Sequence, residues 1–352
     1  MENRKSSMKV REASWRMAEK IVTWQQELPP EDRQPQRENE SRSDSVCDVW
    51  YHLGFLAEAL DAGDPTLFEE HIGWTRELFA NLDVPDRVLA AMLECTRRAV
   101  VEETPPEAHG AALAILDRGL ASLATAPLAS PSHVGAKGPL GELARSYLDA
   151  LLRGDRRAAG EMILAAVDEG VGLRDIYLQV FQPCQHELGR LWQTHRISVA
   201  QEHFCTAATQ SVMSQLYPRL FAGERSGKRI ALACVGGELH EIGARMVADF
   251  FELEGWDSRF YGANTPVQGI VDALREHPVD VMAISVTMTF HVNSVREIID
   301  AVRANPKLAS TPVLVGGYPF NIAPGLWQHV GADGFARDAE SAVLEAERLV
   351  SR

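Results

Sequence analysis

Two rhythms of apolar residues divide the chain. Beyond residue 225, short apolar runs alternate with amphipathic stretches. Residues 228–235 (KRIALACV), 279–286 (VDVMAISV) and 312–315 are brief, apolar and rich in β-compatible types, as strands buried on both faces of a parallel sheet are. Residues 257–262 and 333–336 supply two more. After Gly236-Gly237, whose composition marks a turn, residues 242–253 resume helical spacing. This alternation predicts a Rossmann-like (flavodoxin-like) α/β domain over 225–352, with five parallel strands.

Upstream the spacing is helical throughout. Stretches 141–153, 156–169, 173–194 and 198–220 predict a four-helix bundle over 140–224. In 46–123, Trp50, Leu53, Leu56 and Leu60 share a helical face, with breaks at Gly63-Asp64-Pro65 and Val84-Pro85, predicting a second all-α domain. Residues 1–45 hold one amphipathic helix (10–26) and a polar, Pro-bearing tract (29–45), expected as a flexible linker, and 124–139 reads as a second linker.

Chemistry gathers at the strand ends. Glu238-Leu239-His240-Glu241-Ile242-Gly243 follows the first strand, at the position where open α/β sheets bind ligands. Between Gly243 and Ser285-Val286-Thr287 lie 41 residues, and 28 lie between Thr287 and Gly316-Gly317. Singly, each has an ordinary explanation: a satisfied loop histidine, a serine bonded to backbone, glycines ending a strand. Together they place an imidazole, two hydroxyls and two side-chain-free positions at three strand ends. An imidazole ligates a transition metal well when its other nitrogen is held by an acceptor, and Glu238 stands two residues away.

Composition excludes more than it proposes. With 352 residues and 45% hydrophobic content, two or three globular domains are expected. A formal charge of −14 argues against a nucleic-acid surface. Cys47, Cys95, Cys184, Cys205 and Cys234 are scattered without a CxxC pair, which suits a reducing cytoplasm. No apolar run approaches the length of a membrane span and no signal-peptide core opens the chain, so a soluble cytoplasmic protein is expected.

The Glu238-x-His240-x-x-Gly243, Ser285-x-Thr287 and Gly316-Gly317 pattern resembles the cobalamin-binding domain of methionine synthase, methylmalonyl-CoA mutase and corrinoid carrier proteins. Glu238 stands where that family has aspartate, and Thr287 where it has leucine. The resemblance implies that His240 is the lower axial cobalt ligand and that Glu238 holds its outer nitrogen. It also implies that Ser285, Thr287, Gly316 and Gly317 line a slot for the displaced nucleotide tail.

Upstream, Trp192 and, after nine intervening residues, Glu202-His203 (LWQTHRISVAQEHF) resemble the cap of the light-sensing cobalamin repressors of the CarH type, so the resemblance spans about 140–350. It implies that Trp192, Glu202 and His203 line the upper face of the corrin. The expected function is a non-enzymatic photoreceptor in which light breaks the cobalt–carbon bond of adenosylcobalamin and shifts the cap. Methylcobalamin and hydroxocobalamin are the other candidate forms. Gln193 stands where that family has the histidine that becomes an upper ligand in light. The expected partners are a second copy of the chain or a protein regulator, without DNA, since 46–123 lack a basic recognition helix. His52, His71, Trp50 and Trp74 are candidate liners of a second pocket there, weighed against aromatic core with marginal histidines. The alternatives are a corrinoid methyl carrier of a methyltransferase system, with cobalt cycling between methylated and reduced states, or a dark cobalamin sensor or antirepressor.

Overall fold

A computed structural model describes residues 2–35, 41–125, 129–135, 137–222 and 224–351. Residues 36–40 of the polar tract, and 126–128 and 136 of the second expected linker, lie outside the described residues. The chain divides into two compact units, 1–129 with 288–293 and 322–329, and 130–287 with 294–321 and 330–352.

The first unit is built on α1 (Glu2–Glu27), α2 (Arg42–Ala62), α3 (Thr66–Asn81), α4 (Asp86–Glu103) and α5 (Pro106–Ser122). The boundaries follow local chemistry. A capping box between Ser41 and Asp44 opens α2, and Gly63, at φ 66°, closes it. Expected as a lone helix ahead of a linker, α1 instead buries Val10, Ala13, Met17, Ala18 and Ile21. Its Ser7 hydroxyl donates to the Ala57 carbonyl. The tract after it contains a short 3₁₀ turn, Pro30–Asp32, tied to α4 by Arg87, which donates to the Glu31 carbonyl. In this unit His52 Nδ1 faces His71 Nε2, and Phe55 stacks on the His71 ring at 3.7 Å. Burial pushes His52 down to about 4 and His71 well below its ordinary value, so both are neutral. Trp50 and Trp74 are partly exposed, and Trp50 Nε1 donates to Ser14. The four residues form histidine core with marginal tryptophans.

The second unit joins the bundle to the sheet. Its helices are α6 (Pro139–Leu152), α7 (Arg156–Asp168), α8 (Leu173–Asp175), α9 (Gln182–Gln193) and α10 (Val199–Leu216). A π-helical turn, Ile176–Phe181, runs between α8 and α9, so the expected stretch 173–194 carries a local widening. The second expected linker is pinned at its end. His133 N donates to the buried Glu187 carboxylate, which Arg190 also holds, and Val134 enters the core.

The sheet comprises β1 (Arg229–Cys234), β2 (Asp257–Phe260), β3 (Val281–Ser285), β4 (Val313–Gly316) and β5 (Gly334–Ala336). All pairings are parallel and the order is β2-β1-β3-β4-β5, the flavodoxin-like arrangement whose switch point lies between β1 and β3. Helices α11 (Ile242–Leu253), α12 (Val267–Glu276), α13 (Val292–Ala304), α14 (Tyr318–Ile322), α15 (Leu326–His329) and α16 (Ala339–Val350) complete the fold. The expected fold class is the observed one. Among the described residues, no helix is long and apolar enough to cross a membrane.

Bundle and sheet share one core, in which Tyr147, Tyr177, Phe181, Phe250, Phe251 and Trp256 are almost wholly buried. At ~25 cal/mol per Å² such aromatics supply much of the attachment. Polar contacts are sealed among them: the Tyr147 hydroxyl donates to Thr209 at 2.9 Å, and the Tyr177 hydroxyl donates to Asp249 at 2.6 Å. Burial pushes the Asp249 carboxyl up to about 6, against the opposing pull of that hydrogen bond and of Arg245. Its folded value lies above that of an unfolded aspartate. The group's stabilising contribution is therefore complete below about pH 4 and lost as pH rises through about 6. Across that window this group alone should lower unfolding free energy by ~3 kcal/mol. Asp249→Asn, which can still accept from Tyr177, should flatten that part of the profile in chemical denaturation at pH 4 to 7; an unchanged slope would contradict the assignment.

Candidate functional site

Parallel register brings the three sequence patterns to one edge. Cys234 pairs with Ser285, Ser285 with Gly316, and Gly316 with Ala336, so the ends of β1, β3, β4 and β5 lie on one rung. After β1 the chain turns through Gly237, at φ 82°, and Asn264 fixes the turn from the neighbouring loop. Gly237 N donates to Asn264 Oδ1 at 2.7 Å, and Asn264 N donates to the Glu238 carbonyl at 2.9 Å.

Glu238 is wholly buried beneath this turn. Its Oε1 accepts from His240 Nδ1 at 2.6 Å and from the His240 backbone N at 3.0 Å, and its Oε2 accepts from Thr287 N at 2.8 Å. A buried carboxylate is tolerated because donors surround it. The ring of His240, by contrast, is 59% exposed. With Nδ1 committed to Glu238, its Nε2 is the atom left to face a ligand. The hydrogen bond that His240 donates to Glu238 raises the His240 pKa, burial opposes it, and the charges of Glu238 and Glu202 add to the rise. The same field increases the basicity of Nε2 toward a metal.

Beside this pair, the neutral Cys234 thiol donates to the His240 carbonyl at 3.7 Å. Burial pushes that thiol up to about 12, with the charges of Glu238 and Glu241 adding to the shift. Glu241 continues the loop with a different task. Its Oε1 accepts from Gln210 Nε2 of α10 and its Oε2 from Ala263 N, both at 2.9 Å, tying the bundle to the histidine loop. Asn264 and Glu241 were not candidates in the sequence, because their partners are 27 and 31 residues away and no local spacing announces them.

The glycines divide by role. A Cβ on Gly243 would meet nothing within 4 Å, so the start of α11 leaves room for an incoming group. On Gly317, at φ 110°, a Cβ would lie 1.8 Å from the Val286 carbonyl oxygen, and on Gly316 it would lie 3.0 Å from that of Ala336. Both therefore serve the packing of backbone on backbone. Ser285 is half-buried at the end of β3, and Thr287 contributes its backbone N–H to Glu238.

From the bundle, Glu202 accepts from His203 Nδ1 at 2.6 Å and from Thr206 at 2.8 Å, while its charge also reaches His240. Glu202 is thus within electrostatic reach of His240, while His203 is held by Glu202. Trp192, at the end of α9, is 42% exposed, as are Phe204 in part and Leu239 almost entirely. Exposed Leu239 next to His240 also escaped the sequence reading, since one apolar loop residue has no periodicity. Among the described residues, no group of three or more His, Cys, Asp or Glu side chains could hold a metal ion unaided. One poised imidazole, open space at Gly243 and nearby exposed apolar side chains suit a metal that arrives already held in a planar macrocycle.

Comparison with known proteins agrees. Residues 228–347 match the B12 binding domain family, and 143–217 match a second B12 binding domain family. A corrinoid protein of Desulfitobacterium hafniense is 26% identical over 209 residues, covering 58% of this chain and 95% of that protein. Dimethylamine corrinoid protein 1 of Methanosarcina acetivorans is 25% identical over 207 residues, covering 58% of this chain and 91% of that protein. The solved monomethylamine corrinoid protein of Methanosarcina barkeri shares the fold, with a TM-score of 0.53 at 20% identity over 60% of this chain and 100% of that one. The chain binds cobalamin. The expected light-sensing function is overturned: these relatives are corrinoid proteins, two of them named for methylated amines, rather than photoreceptors of the CarH type. The Trp192 and Glu202-His203 spacing is a property of the bundle and does not distinguish the two functions.

His240→Ala should shift the visible spectrum of protein-bound cobalamin to that of a form without a histidine lower ligand. Glu238→Gln, which cannot accept from both His240 and Thr287 as a carboxylate does, should shift it partway. A wild-type spectrum in His240→Ala would remove His240 from cobalt.

Proposed function

We propose that this chain is the corrinoid methyl carrier of a methyltransferase system, with His240 as lower axial ligand. The observation that carries the reading is the buried Glu238 carboxylate holding His240 Nδ1 while Nε2 stays open, in a chain whose matching relatives are corrinoid proteins. Bound cobalamin supplies a cobalt centre that accepts and releases a methyl group.

The chain's own residues have separable tasks. His240 grips the lower face, and Glu238 sets how strongly by taking up or relaxing its claim on the Nδ1 proton. Gly243 leaves space beside the ligand, Ser285 and Thr287 flank the region for the nucleotide tail, and Gly316 and Gly317 keep those loops in close backbone register. Trp192, Glu202 and His203 would lie on the side of the cofactor that a partner enzyme approaches. No residue here need act as acid or base on the methyl donor, so the donor is activated by a separate methyltransferase. The relatives' names favour methylated amines as the donor class.

The test is methyl transfer in darkness. Chain loaded with cobalamin, reduced with titanium(III) citrate and treated with iodomethane should acquire one methyl group per cobalamin and pass it to a thiol when a corrinoid:thiol methyltransferase is added. Tight cobalamin binding without methyl uptake or release would overturn the carrier reading.

A further inference from the structure

The loop after β3 is held at both ends, by different chemistry. Near its start, Val286 N donates to the Gly316 carbonyl and the next N–H, on Thr287, donates to Glu238 Oε2. The following residues, 288–293, belong to the compact helical unit. There Phe290 packs edge-on to Phe55, with ring centroids 5.3 Å apart, and beside Tyr51 at 5.1 Å. It also lies over Gly54, where an added Cβ would come within 3.0 Å of Phe290 Cβ. Glycine inside α2 disfavours the helix, and the seat for Phe290 accounts for its presence. Three residues on, Asn293 N donates at 3.1 Å to Glu58 Oε1, a carboxylate 1% exposed that Arg11 of α1 also contacts.

We propose that the helical unit sets the strength of the lower axial bond through this loop, with Phe290 and Glu58 as positioning residues. The inference rests on His240 being the lower ligand. Seating Phe290 and Asn293 fixes the backbone that presents the Thr287 N–H. That N–H neutralises part of the charge on one Glu238 oxygen and keeps the other aimed at His240 Nδ1. Release of the seat leaves Glu238 Oε2 buried without that donor, and the carboxylate turns toward whatever donor remains. His240 then loses its orienting partner and its grip on cobalt. Any event that repacks α1 and α2 against Phe290 is thereby felt at His240.

Full-length Phe290→Ala and Gly54→Val carry the test, the second pushing Phe290 out while keeping its ring. In the cobalamin-free protein, both should speed hydrogen exchange at the Thr287 amide about tenfold. In the loaded protein, both should move the cobalamin spectrum toward that of His240→Ala. Unchanged exchange would show that the helical unit does not hold the loop. Faster exchange with a wild-type spectrum would show that the loop does not govern the ligand; either result overturns the proposal. If His240→Ala itself leaves the spectrum unchanged, the ligand assignment fails and takes the coupling with it, a result distinct from the other two.

Discussion

A single buried carboxylate organises the site. Glu238 lies where solvent cannot reach it, and an uncompensated charge there would be expensive, so its two oxygens must recruit donors. One oxygen takes the imidazole of its own loop and the other takes the backbone of the loop after β3. The electrostatic need of one side chain therefore joins the two loops on either side of the sheet's switch point. The extra methylene of glutamate over aspartate makes the reach to both possible from a residue tucked under the Gly237 turn.

Around that carboxylate the rest of the second unit acts as scaffold. Parallel pairing aligns the strand ends on a common rung, and close backbone packing at Gly317 keeps the loops from drifting apart. The bundle is attached by a dry aromatic core around Tyr177 and, near the histidine loop, by the contact between Gln210 and Glu241. The first attachment is permanent in character, and the second is one half-buried hydrogen bond of modest net strength.

Much of this was legible in the sequence because it was periodic or closely spaced. Three of the five strands announced themselves as apolar runs, and all five lie within about two residues of their expected bounds. Glu238 and His240 could be paired because their spacing resembles the motif of the cobalamin-binding family. Asn264 and Glu241 could not, since they bind across loops whose proximity exists only after the sheet forms. The burial of α1 was also hidden: an amphipathic helix before a polar tract looks the same whether its apolar face is covered or not. The light-sensing expectation failed for a different reason. The expectation rested on the Trp192 and Glu202-His203 spacing in the bundle, and such a spacing does not say what is done with a bound metal. The π-helical turn at 176–181 left no compositional trace.

The thiol of Cys234 lies against the backbone carbonyl of the proposed metal ligand, His240. As a thiolate it would be a rival for cobalt and an easy target for oxidants. Burial, together with the charges of Glu238 and Glu241, holds it protonated far above neutral pH. The acidic loop thus gives the histidine its basicity and, by the same field, silences the competitor next door.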